Sequence, residues 1–87
     1  MEEILIFLAI YNCHPTAQIT VAPDDFTHYK DEVIYIAPKH KGKDHILVHE
    51  LVHSCQYGWS GGSATTYREW SRREHQAIAI ERDWIDR

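Results

Sequence analysis

The chain has 87 residues, 44% of them hydrophobic and 25% charged, with a formal net charge of -4. That length holds one domain, residues 1–87, with one modest core, and the composition excludes a disordered chain. The basic residues are scattered apart from small clusters at Lys39–Lys43 and Arg72-Arg73, which argues against nucleic acid as a partner.

Residues 2–12 are rich in Leu and Ile, and Pro15 follows, so the segment reads as a short buried helix. A strand is the alternative, because a short apolar run does not settle its own period. Glu2 and Glu3 precede this run where a signal peptide carries basic residues. The run also falls short of the ~20 apolar residues of a membrane span. The expectation is a cytoplasmic chain without a membrane partner, or a fragment whose targeting segment has been removed. Cys13 and Cys55 could pair, but two cysteines do not make a disulfide framework, and no Cys-x-x-Cys or Cys/His zinc spacing occurs. Cys55 is expected to be a free thiol acting as a small buried hydrophobe.

Gln18–Ala22 alternates and is β-branched, and Pro23-Asp24-Asp25 marks a turn. Glu32–Ala37 is the strongest strand signal, ended by Pro38. The two are expected to pair antiparallel, joined by a loop containing Phe26, His28 and Tyr29. After the polar loop Lys39–Lys43, Asp44 is the expected N-cap of a helix running to about Tyr57, with Gly58 as its stop. Trp59–Thr66, with Gly61-Gly62-Ser63, reads as a loop. A second long helix follows over Tyr67–Asp86, with Trp70, Ala77, Ile78, Trp84 and Ile85 at helical spacing. The order helix, strand, strand, helix, helix is an α+β arrangement with a small antiparallel sheet packed on helices.

The first of these long helices carries His49-Glu50-Leu51-Val52-His53. Two His at i and i+4 project from one helix face and can both reach one tetrahedral zinc at roughly 2.0–2.1 Å. Glu50 lies beside that face, placed to take the proton of a zinc-bound water as it attacks a carbonyl. The function expected from this pattern is a zinc metallopeptidase acting on a peptide or protein substrate, with Zn2+ as cofactor and Glu50 as general base. His45 shares the face, but it is about 12 Å along the axis from His53, too far for one ion.

A catalytic zinc has three protein ligands and one open position. The metzincin spacing is excluded, because Gln56 and Trp59 stand where it requires Gly and His. The third ligand must then be a carboxylate from the last helix, where Glu74 and Glu81 lie seven residues apart on one face. Either carboxylate could instead face solvent and pair with Arg72, Arg73 or Arg82.

Over about residues 33–85 the sequence resembles the gluzincins, especially very small one-domain members found in bacteria and phages. The matching residues are His49-Glu50-Leu51-Val52-His53 and Glu74-His75-Gln76-Ala77. The resemblance implies a zincin-like fold with His49, His53 and Glu74 as metal ligands, and Ala77 packing against the zinc helix. Gln56 also recurs in several such families. A phage-encoded protein acting in a host cytoplasm fits that resemblance. Where the thermolysin-like pattern has an Asp four residues after the ligand Glu, this chain has Ile78, so Glu81 is the remaining candidate to orient a His ligand. Family logic sets an edge strand beside the cleft, either Glu32–Ala37 or another if that segment is interior. Tyr67 and His75 are the first candidates for stabilising an oxyanion, with Tyr29, Tyr35 and Tyr57 competing. Two other functions remain open. One is a non-catalytic zinc-stabilised binding or regulatory domain, and the other is a plain α+β interaction domain without metal.

Overall fold

In the computed structural model, which describes residues 1–87, the N-terminal segment is a helix, α1, over Glu2–Ala9. It is shorter than expected because the chain turns at Asn12, whose φ of 58° no helix continues. Ile4 and Leu8, one turn apart, are its buried pair. Tyr11, just past the helix, donates its hydroxyl to the Asp83 carboxylate. That hydrogen bond, with burial and the Asp83 charge, pushes the phenol up to about 12.

Three strands follow: β1 (Gln18–Val21), β2 (His28–Lys30) and β3 (Val33–Ile36). They form one sheet in the order β1-β3-β2. The α+β class holds, but the sheet is mixed, not antiparallel. β1 runs parallel to β3, with Ile19 opposite Ile34, whereas β2 pairs antiparallel with β3, with Tyr29 opposite Ile34. The segment expected as a connecting loop therefore contains the third strand. It is hidden in the sequence because His-Tyr-Lys is too short to show alternation. Its turn is hidden as well. Asp31 and Glu32 alone link Lys30 to Val33, and both have positive φ, 52° and 64°, as a two-residue hairpin requires. Gly usually advertises such a turn, and Asp-Glu does not. Glu32 is thus a turn residue, and β3 is the central strand, not the edge beside a cleft.

A short 3-10 turn over Pro38–His40 leads into α2 (Asp44–Ser60), and α3 spans Tyr67–Asp86 as expected. Lys43, not Asp44, is the N-cap of α2, and the Asp44 carboxylate occupies the first turn, where the helix dipole favours it. The helix also runs through Gly58, an interior cost of about 1 kcal/mol. It ends only at Gly61, whose φ of 74° is the left-handed stop, and the Gly62 amide returns to the Tyr57 carbonyl at 2.9 Å. At α3, Thr66 caps by accepting from the Glu69 amide at 3.1 Å. Arg73 donates to the Gly62 carbonyl and pairs with Glu69, which ties the intervening loop to this helix.

α2 packs chiefly on α3. The core gathers Ile4 and Leu8 from α1, Ile34 from β3, Val48, Leu51 and Val52 from α2, and Ala77, Ile80 and Trp84 from α3. Trp70 and Ile85, expected at core spacing, are 52% and 56% exposed, and Ile80 takes the inward position instead. No helix is long and apolar enough to cross a membrane.

Cys13 and Cys55 form a disulfide, contrary to the expectation of a free thiol at Cys55. The turn after α1 brings Cys13 against α2, with 5.6 Å between Cα atoms that are 42 residues apart in sequence. Spacing along the chain carries no trace of that approach. The bond closes a long loop in the unfolded chain and holds the helix that bears His49 and His53. The Cys13→Ser/Cys55→Ser chain is expected to lose roughly 2–4 kcal/mol of stability, read as a lower urea midpoint by circular dichroism.

Candidate metal centre

One α-helical turn on α2 sets His49 and His53 on the same face, and α3 lays Glu74 across them. His49 Nε2 lies 2.6 Å from Glu74 Oε1, His53 Nε2 lies 3.0 Å from the same oxygen, and the two Nε2 atoms are 3.2 Å apart. These three residues can together hold a metal ion. For metal–ligand arms of roughly 2.0–2.1 Å, neighbouring donors on a tetrahedron are separated by about 3.3–3.4 Å. The His–His separation is close to that value. The shorter Glu74 contacts are hydrogen-bond lengths, so a proton on a ring nitrogen competes with a cation for this point.

The partners of the other ring nitrogens decide which atoms face inward. His49 Nδ1 lies 2.8 Å from Glu81 Oε1, and a carboxylate oxygen accepts, so Nδ1–H donates. His53 Nδ1 lies 2.8 Å from Gln56 Oε1. Gln56 cannot be flipped, because its Nε2 donates to the Arg73 carbonyl and to Gln76 Oε1, both at 2.8 Å. His53 Nδ1–H therefore donates too. Nδ1 donation leaves Nε2 as the atom that each ring turns to Glu74, where it donates to the carboxylate or, with a cation bound, joins the Glu74 oxygen as one of three converging ligand atoms.

Glu81 thus sits behind His49, in the orienting position, and Glu74 is the carboxylate that meets both rings. Burial pushes the Glu74 carboxyl up, but attraction and hydrogen bonding from His49 and His53 outweigh it. The group lies below the ordinary carboxylate range. Gln56 has a role that the HExxH spacing does not reveal. It is the one buried polar residue of the core, 2% exposed, and its bonds explain why it is tolerated there. The legible signal was a Gln three residues after a ligand His, within reach on the same helix face.

The three donors open onto a cleft of about 570 Å³, whose walls include His28, Tyr29, Glu50, Tyr57 and Trp70. Burial raises the Glu50 carboxyl above its ordinary range; His53 and His49 draw it partly back, and the Glu74 charge adds to the rise. A carboxyl so placed is a better proton acceptor than an exposed one. The edge strand beside the cleft is β2, which supplies His28 and Tyr29. Of the residues considered for an oxyanion, Tyr29 and Tyr57 line the cleft. Tyr67 is 80% exposed, and Tyr67, His75 and Tyr35 lie outside the lining. His45 is not part of the metal-holding group. Ala77 is fully buried in the core that α3 shares with α2. Compared with protein-family models, with curated proteins and with solved structures, the chain matches none.

Proposed function

We propose that this chain is a small zincin-like, gluzincin-type metallopeptidase that binds zinc through His49, His53 and Glu74. The observation that carries the reading is the convergence of three possible ligand atoms, from His49, His53 and Glu74, in a cleft that Glu50 also lines. Three protein donors leave one position for water or substrate, whereas purely structural zinc sites use four. When bound, zinc supplies Lewis acidity, polarising a carbonyl oxygen and acidifying a water. The chain's own residues do the rest. Glu50 takes a proton from the attacking water and returns it to the departing amine, so the C–N bond breaks as a carboxylic acid and an amine form. Glu81 and Gln56 keep each Nδ1 protonated and each ring fixed in orientation. The disulfide favours an oxidising setting over the cytoplasmic one expected from the sequence.

The test is hydrolysis of a proteome-derived peptide library by protein loaded with one zinc per chain, with new N-termini read by mass spectrometry. Cleavage that stops with a chelator and returns with zinc is the expected result. A chain that holds zinc yet leaves the library intact is instead a zinc-stabilised binding domain. A chain that takes up no zinc sinks both readings.

A further inference from the structure

Beside the cleft lies a second cavity, of about 380 Å³, whose walls include Asn12, His14, Glu32, Ser54, Tyr57 and Trp59. Tyr29 and Tyr57 line both cavities, so this aromatic pair, with centroids 6.0 Å apart and edge to face, is their shared wall. The two cavities therefore adjoin at these two rings.

Two features of the second cavity attract the same kind of group. The first is Glu32. The hairpin turn holds it in the left-handed region, with a φ of 64°, and that places it at the cavity wall. The ion pairs made by Lys and Arg in the molecule are Lys39–Asp25, Arg73–Glu69 and Arg87–Glu3, and none uses Glu32. No Lys or Arg lines the cavity, and His14 is its one titratable base. The second feature is the ring set of Tyr29, Tyr57 and Trp59. Trp59, on the last turn of α2, is 47% exposed and leaves indole surface free. A carboxylate without a counter-ion beside aromatic faces binds cations and repels anions.

We propose that Glu32, Trp59 and the Tyr29–Tyr57 wall form a specificity subsite for a basic side chain, Lys or Arg, of a peptide lying in the metal cleft. This inference rests on reading the cleft as a peptide site, and it adds the substrate class. A peptide with Lys or Arg at one fixed position reaches the subsite, and one with Glu there is excluded.

The experiment uses the zinc-loaded Glu50→Gln chain, which holds peptide without turning it over. It is run at about pH 8. Fluorescent hexapeptides carry Lys, Arg, norleucine or Glu at each position in turn, and Kd is read by anisotropy. The expected result is roughly tenfold tighter binding for Lys or Arg over norleucine at one position, as an exposed ion pair and a cation–π contact together allow. Adding Glu32→Gln or Trp59→Leu reduces that preference several-fold, and adding Glu32→Lys turns it toward Glu. Circular dichroism checks that each variant is folded.

Equal affinity for all peptides, no measurable binding of any, or a basic preference that survives Glu32→Lys overturns the subsite. Wild-type protein that cleaves peptides with no basic preference also overturns it, and leaves the peptidase reading standing. A basic preference in binding, with no cleavage by the wild type, does the reverse.

Discussion

Replacing Glu74 by alanine is expected to weaken zinc binding on the order of 10²–10³-fold, measured by competition with a chromophoric chelator. A zinc site with its full ligand set binds with roughly 10–16 kcal/mol, so one donor accounts for about 3–4 kcal/mol. Glu74 Oε1 is the atom that meets both Nε2 atoms, and no other carboxylate joins that group. Glu81→Ala provides the contrast. Glu81 touches His49 only through Nδ1, so its loss frees the ring to rotate or change tautomer without removing a donor. Orienting partners of this kind are worth 10–100-fold, and the expected effect is at the low end, about tenfold. If Glu81→Ala costs more affinity than Glu74→Ala, the ligand assignment is reversed.

Glu50→Gln is expected to keep one zinc per chain and to lower kcat on the order of 10²–10⁴-fold, the range for removing a positioned general base. The amide has the shape of the carboxyl and cannot take up a proton. The same variant carries a stability signature that separates a lost base from a damaged fold. Burial raises the Glu50 pKa in the folded chain, so between the unfolded and folded values the native state binds more protons. Stability then falls as pH rises through that window, and at neutral pH the ionised Glu50 counts against folding. The neutral amide removes this term. Zinc-free Glu50→Gln should therefore melt at or above the wild-type temperature near pH 7. A lower melting temperature together with lost activity would point to a structural role instead.

The features read correctly from the chain are those that repeat along one element. His49 and His53 share a face because four residues make about one helical turn, whatever packs on that face. Glu74 and Glu81 share a face of α3 by the same argument. Errors cluster where the signal is weak or comes from another element. Gly58 looked like a helix stop, but only the residue that adopts positive φ ends the helix, and that is Gly61. The hairpin at Asp31-Glu32 has no Gly to announce it, so the edge strand beside the cleft went unread.

By itself, the sequence determined the α+β class, the two long helices and the pair of His on one helix face, because each follows from a local period. Only the tertiary structure decided that Glu74 meets both rings while Glu81 stands behind His49, although the two lie on the same helix face. It also decided that β3 lies between its neighbours and that Cys13 reaches Cys55. Each of these is a distance between elements. Such distances are set by how α1, the sheet and α3 share one core around α2, and no spacing along the chain encodes them.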